Sequence, residues 1–310
     1  MKEILITGVA GFAGRRIAEY LQSAGFNVCG VVRNRKGADY PFPTIEQDLS
    51  EPIECQQKFD AIVHAAGKHP GSTMDELKRN NIDAMSNLIE FARTHGVRKI
   101  IYLSTTNVNG EIRAEEIDER TDVLNPDPYG LSKYVAELLL KECKELEGVS
   151  LRLPGIVGAG AQRSWLPSVF DKFKRNETVT IYSPEFEINN FVHVEDIAKF
   201  IEILLKRSDK YLTFVLGTSE RMSVRDCVET LKSTLDTKSV IEIGEPKKAP
   251  FALNVEHALA YGFSPRRPRD LIFDSFATTT PPRDCCNGLI YRIEFYEPTV
   301  EECMEETLCA

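Results

Sequence analysis

From Lys2 to Thr7 the chain is a short, apolar, β-branched run that stops at Gly8. A run of this kind without polar alternation predicts a parallel strand buried on both faces. Phe12 to Ser23 then reads as a helix, and Gly25 falls where a C-terminal stop is expected. The pattern repeats. Strands are predicted at Asn27 to Val32, Phe59 to His64, Lys99 to Ser104 and Val149 to Leu153. Between them, helices are predicted from about Met74 to His95, stopped by Gly96, and from Tyr129 to Leu146, closed by Gly148. Strands alternating with helices over the first 155 residues predict an α/β, doubly wound parallel sheet covered on both faces. Ligands of such sheets sit at the carboxyl ends of the strands.

Beyond Pro154 the texture changes. Gly155, Gly158 and Gly160 make a flexible stretch, followed by a helix from about Leu166 to Arg175. Short strands are expected at Val179 to Tyr182, Phe191 to Val194 and Leu212 to Leu216, with helices near Asp196 to Lys206 and Val224 to Leu235. This half is expected to form a smaller region over the open edge of the sheet, with segments near 189–216 returning to it. Past about Ser275 no periodicity is sustained, and the Thr-Thr-Thr-Pro-Pro run at 278–282 breaks any helix.

Composition narrows the function classes. Against 38 Lys and Arg stand 47 Asp and Glu, a net charge of −9, which argues against a general nucleic-acid binder. With 42% hydrophobic and 27% charged residues in 310, the chain has the balance of a globular protein with a real core. No apolar run reaches the ~18 residues that would span a bilayer, so a cytoplasmic protein without membrane partners is expected. The apolar stretch Ile4 to Gly14 could pass for a leader core, but Glu3 precedes it and glycines recur at 8, 11 and 14. Cys29, Cys55, Cys143 and Cys227 are scattered and read as reduced packing residues. Cys285, Cys286, Cys303 and Cys309 crowd the tail, but without a C-x-x-C pair no metal site is expected.

Strand, then Gly8-x-x-Gly11-x-x-Gly14, then helix is a phosphate-binding turn. Gly8 allows the tight strand exit, Gly11 the close approach of a pyrophosphate, and Gly14 the packing of helix on strand. The first helical turn, with Phe12 and Ala13, offers unpaired N–H groups and partial positive charge to the anion. The second strand decides between dinucleotides. An acid at its end would bind the ribose 2′-hydroxyl of NAD, whereas an Arg accommodates the 2′-phosphate of NADP. Here Val32-Arg33-Asn34-Arg35-Lys36 has no acid before Asp39, so NADP is expected in preference to NAD.

Tyr129-Gly130-Leu131-Ser132-Lys133 stacks a phenol and an ammonium on one helix face. A free tyrosine titrates near ~10, so proton transfer at neutrality asks for about 4 kcal/mol of help. Lys133, the helix N-terminus and an oxidised nicotinamide are each expected to lower the phenol. The Ser104-Thr105-Thr106 cluster at a strand end supplies hydroxyls that can polarise a substrate oxygen opposite the tyrosine.

These features together resemble the extended short-chain dehydrogenases/reductases, the NAD(P)-dependent nucleotide-sugar epimerases, dehydratases and keto-reductases with a Rossmann fold. The resemblance covers about residues 1 to 265. It rests on the glycine turn, Gln47-Asp48-Leu49, His64-Ala65-Ala66-Gly67, Asn81, Ser104-Thr105, Tyr129 with Lys133, Arg152-Leu153-Pro154 with Gly158, and Phe191-Val192-His193-Val194-Glu195-Asp196. It implies that Asp48 contacts the adenine, with Leu49 beside it, and that Ala65, Ala66 and Gly67 line the cofactor together with Asn81 and Ser104. It makes Thr105, Tyr129 and Lys133 the catalytic set, the last two also holding the cofactor. Family dehydratases carry Asp-Glu directly after the Thr; Thr106 and Asn107 stand here, and neither can act as acid or base in eliminating water. Asn107-Val108-Asn109-Gly110-Glu111 looks more like 4-keto-reductases and some epimerases. The expected activity is hydride transfer at a sugar carbon, C4, of a nucleotide sugar; the alternative is a non-catalytic dinucleotide sensor or assembly protein.

The family arginine that binds the nucleotide diphosphate is matched by Asn189 or Asn190, and a second by Lys247 or Lys248, with Arg163 as a compensating candidate. Substrate contacts are therefore expected from Thr105, Thr106, Asn107 and Arg163. The expected organisation is a dinucleotide-binding unit over 1–160, a substrate-binding region over 161–274 and a tail over 275–310; the resemblance also implies a homodimer through two helices of the main unit. His64 reads as a core histidine, His193 and Asp196 as a turn and helix start, Glu115-Glu116 and Asp118-Glu119 as solvated charge, and Trp165 as packing of the second region.

Overall fold

The computed structural model describes residues 1–277 other than 36, 163, 209 and 247. The tail from residue 278 onward, with its four cysteines, lies outside the described residues, as do Arg163 and Lys247.

Seven parallel strands make the central sheet: β1 (Glu3–Thr7), β2 (Asn27–Val32), β3 (Thr44–Glu46), β4 (Ala61–His64), β5 (Lys99–Thr105), β6 (Glu147–Leu153) and β7 (Leu212–Val215). Their order is β7-β6-β5-β4-β1-β2-β3. The order reverses at β1, so a crevice opens between the carboxyl ends of β1 and β4. Period-2 alternation sends Ile4 and Ile6 to one face and Leu5 to the other, and all three are fully buried because helices cover both faces.

The longer helices are α1 (Phe12–Ser23), α2 (Ala84–His95), α3 (Pro128–Glu142), α4 (Trp165–Lys174), α5 (Val194–Lys206), α6 (Val224–Ser233) and α7 (Pro268–Phe276). In α1, Gly14, Ile17, Ala18 and Leu21 form the buried stripe at helical spacing. That stripe shares a core with Ile197, Ile201 and Leu204 of α5, and Tyr20 donates to Glu202 at 2.7 Å across the pair. On the other face, Met85 and Leu88 of α2 and Ala136 and Leu140 of α3 pack on Ile62, Ile100 and Tyr102. A separate apolar cluster joins Leu166 and Phe173 of α4, Val228 and Leu231 of α6 and Leu271 and Ile272 of α7, with Trp165 packed against it. Strand β7 pairs with β6 at the edge of the main sheet, and α5 shares the core that lies on it.

Several boundaries differ from the sequence reading. The helix expected over 74–95 is broken: after one turn at Met74–Leu77 the backbone widens into a π-helix at Lys78–Asp83 before α2. Helix α3 stops at Glu142 because the chain must turn within four residues to enter β6 at Glu147. Val194 begins α5 instead of ending a strand, since His193 caps the helix by accepting the Glu195 amide. The acidic stretch is not simply solvated: Glu119 accepts the Val215 amide at 2.7 Å, and Glu116 pairs with Arg221. Among the described residues, no helix is long and apolar enough to cross a membrane, and no cluster of potential ligands could hold a metal ion. The four described cysteines are free thiols.

Candidate active site

The phosphate turn forms at the end of β1. Gly8 adopts φ +74° and accepts the Gly11 amide at 2.9 Å. Gly11 caps α1 with no side chain to occupy the first-turn amides, and no acid stands in that turn. The N–H groups there are left for an anion, which fits the diphosphate of a dinucleotide. A Cβ built on Gly14 would lie 2.3 Å from the Gly8 carbonyl oxygen. That neighbour is backbone and cannot swing aside, so Gly14→Ala is expected to push α1 off the sheet. The measurable result is loss of dinucleotide binding in a fluorescence titration together with a lowered Tm.

The cofactor-side loops converge on the same crevice. The Ala66 amide donates to Thr7 Oγ1 at 3.1 Å, holding the Ala65–Gly67 segment against β1. The π-helical turn drives Asn81 inward, fully buried; its side chain accepts the Lys68 amide and donates to Ser132 Oγ, both at 2.8 Å. Asn81 thus links the Gly67 loop to α3. Asp48 accepts the amide and hydroxyl of Ser50, which hold its carboxyl below the usual range against the cost of burial. The Leu49 carbonyl accepts from Asn87 at 2.9 Å. Arg33, at the end of β2, is exposed; it donates to Asn80, and its Nε lies 3.7 Å from Asp48. Arg33 and Asp48 thus face each other at the end of β2.

Helix α3 begins at Pro128, with Asp127 as N-cap accepting the Gly130 amide at 2.6 Å. Its buried face carries Ser132, Lys133 and Glu137 beside Ala136 and Leu140. Lys133 Nζ donates to the Leu103 carbonyl at 2.7 Å and sits 4.4 Å from the centroid of the Tyr102 ring. Burial pulls its ammonium down to about 7, opposed by the charge of Glu137. Burial raises the Tyr129 phenol to about 12, with Asp127 adding to the rise and the neighbouring Thr105 hydroxyl opposing it. The sequence expectation of a lowered phenol thus fails in the cofactor-free protein. A desolvated lysine with its midpoint near 7 is only partly charged at neutrality, so it cannot outweigh the burial of the phenol.

Thr105 is nearly buried, accepts the Asn107 amide at 3.2 Å and caps the turn Thr106–Asn109. Ser104 does not serve as a second hydroxyl: its proton goes to Glu137 Oε1 at 2.5 Å, and Glu137 is locked to Arg152 at 2.9 Å. With its proton spent on Glu137, Ser104 has only its lone pairs to offer a ligand. Sequence reasoning missed Glu137 and Tyr102; the spacing of four from Lys133 could have flagged Glu137 as sharing its face.

Beside this group lies a cavity of about 470 Å³ lined by Thr106, Asn107, Asp127, Glu111, Lys248 and Phe251 among others. Lys248 therefore reaches the cleft. Asn189 does not: it is buried and clamps the backbone of Leu253 in both directions, at 2.8 and 2.9 Å. His64 is a fully buried core histidine bound through Nδ1 to Thr7 at 2.7 Å, and burial pulls it down to about 3.

Comparison with known proteins agrees with this geometry. The family model of the NAD dependent epimerase/dehydratase family matches residues 4–217. The UDP-glucose 4-epimerase of Caenorhabditis elegans is 26% identical over 309 residues, covering 80% of this chain and 88% of that protein. The dTDP-D-glucose 4,6-dehydratase of Dictyostelium discoideum is 25% identical, covering 74% and 62%. In fold, the Bordetella bronchiseptica enzyme WbmH, solved with NAD+, superposes with a TM-score of 0.76 at 19% identity over 89% of this chain and 98% of that one. The chain belongs to the NAD-dependent epimerase/dehydratase family.

Proposed function

We propose that the protein is a nucleotide-sugar 4-epimerase in which Thr105, Tyr129 and Lys133 handle the proton at the reacting oxygen. The observation that supports this reading is the arrangement of Thr105 at the end of β5, Tyr129 and Lys133 one turn apart on α3, and Lys133 Nζ beside Gly67, whose loop packs against the Gly8 turn. A nicotinamide dinucleotide held at the Gly8–Gly14 turn would supply a reversible hydride acceptor for the sugar carbon. Tyr129 takes the proton from the C4 hydroxyl and gives it back, while Thr105 orients that oxygen. Lys133 supports the phenolate and ties α3 to β5, while Asn81 ties α3 to the cofactor loop. Thr106 and Asn107 contribute shape and hydrogen bonds, with no carboxyl to eliminate water. Lys248 neutralises a phosphate as a point charge, and Arg163 is carried as a further contact.

The first 160 residues with the returning segments form the dinucleotide unit, and 161–274 close over the sugar nucleotide. Exposed Leu131 and Leu138 on α3 suit the pairing of two copies through main-unit helices. The preference for NADP over NAD rests on Arg33, which must leave Asp48 to meet a 2′-phosphate.

The test is incubation with UDP-glucose and UDP-galactose, with the bound dinucleotide followed at its absorbance band. Interconversion of the sugars without net dinucleotide consumption is expected. Stoichiometric oxidation of NADPH on a 4-keto nucleotide sugar would replace the epimerase with a keto-reductase, and no turnover with either would sink both. Running the second assay with NADH and NADPH reads the Arg33 preference directly.

A further inference from the structure

Below the proposed proton-handling group lies an aromatic array that the reaction leaves unused. His64 of β4 and Tyr102 of β5 are register partners, and their rings stack at 5.3 Å with 18° between planes. Both are fully buried. Thr7 Oγ1 accepts the Ala66 amide and is hydrogen-bonded to His64 Nδ1, His64 Nε2 has no hydrogen-bond partner, and burial keeps the imidazole neutral. On the same Tyr102 ring sits the Lys133 ammonium, 4.4 Å from the centroid.

The support around that ammonium is sparse in charge. Glu137, the nearest acid on α3, spends both oxygens on Arg152 and Ser104. Among the described residues no carboxylate forms an ion pair with Lys133; its direct partners are the Leu103 carbonyl and the Tyr102 π face. A desolvated cation gains most from a ring face where no counter-ion competes. The Tyr102 hydroxyl, by contrast, has no hydrogen-bond partner. The ring therefore matters to Lys133, and the hydroxyl does not.

We propose that Tyr102 is a positioning residue of the reaction: its ring face holds the Lys133 ammonium in register with Tyr129. A neutral His64 on the neighbouring strand leaves that face to a single cation. The proposal rests on the reading that Lys133 supports Tyr129.

The experiment compares Tyr102→Phe, Tyr102→Leu and a phenylalanine bearing ring fluorines at position 102, which keeps the shape but drains the π face. Lys133 is titrated in the cofactor-free full chain from its ¹³Cε shift, assigned with Lys133→Met, and turnover is measured against pH. Tyr102→Phe is expected to leave both unchanged. Tyr102→Leu and the fluorinated ring are expected to move the Lys133 midpoint down by about one pH unit and to shift the corresponding limb of the rate profile with it. If the fluorinated ring titrates like Tyr102→Phe, the proposal is overturned, even should Tyr102→Leu fail to fold. If the midpoint moves and turnover does not follow at any pH, Tyr102 still holds the amine, and it is the catalytic reading of Lys133 that falls.

Discussion

Tyr129→Phe is expected to lower epimerase turnover by about 10² to 10⁴-fold, the range for losing a positioned acid or base. The substitution removes the hydroxyl and keeps the ring, so dinucleotide retention and Tm should stay close to those of the parent. Phe cannot exchange a proton with the C4 oxygen, and Thr105 alone has no tendency to ionise near neutrality. In the cofactor-free protein the phenol, pushed up to about 12, is protonated throughout the physiological range. Its use as a base therefore depends on positive charge arriving with the oxidised ring. Single-turnover reduction of the bound dinucleotide by substrate is the direct measurement, and a Tyr129→Phe protein that still reduces it at the parent rate removes Tyr129 from the mechanism.

Acidification from pH 7 to pH 4.5 is expected to remove about 5 kcal/mol of folding stability through two histidines. Burial pulls His64 down to about 3 and His193 down to about 4, where Arg266 adds repulsion. Both are buried and stay neutral in the native state while their unfolded counterparts charge below ~6.5. The sign follows: the contribution is complete above the unfolded value and is lost as pH falls toward the native one. Each group gives about 1.4 kcal/mol per pH unit across that window. Urea midpoints at pH 7, 5.5 and 4.5 measure it. A His64→Asn, His193→Asn double variant should start lower and fall much less steeply; equal slopes in both proteins would refute the assignment.

What the sequence made legible was whatever local spacing encodes. The glycine turn, the Tyr129–Lys133 pair and the buried strands each depend on residues a few positions apart, so their geometry follows from one helix or one strand. The fate of Ser104 does not. Its proton belongs to Glu137 only because Arg152, from the next strand, holds that carboxylate in place. Asn189 likewise matches a ligand position by order, yet the return of 252–253 beside it spends both ends of its amide on backbone. The π-helical turn was hidden for another reason: the apolar spacing on either side is helical, and only the buried demand on Asn81 marks the insertion. The phenol's rise came from desolvation, which no local pattern displays.

The buried Ser104–Glu137–Arg152 chain has one more consequence. It bolts β5, α3 and β6 together, so the strand that carries Thr105 and the helix that carries Tyr129 move as one rigid block. Admission and release of a bulky glycosyl nucleotide must then be accommodated by the opposite bank, where Lys248 and Phe251 stand, while the reacting hydroxyls keep their spacing through the whole cycle.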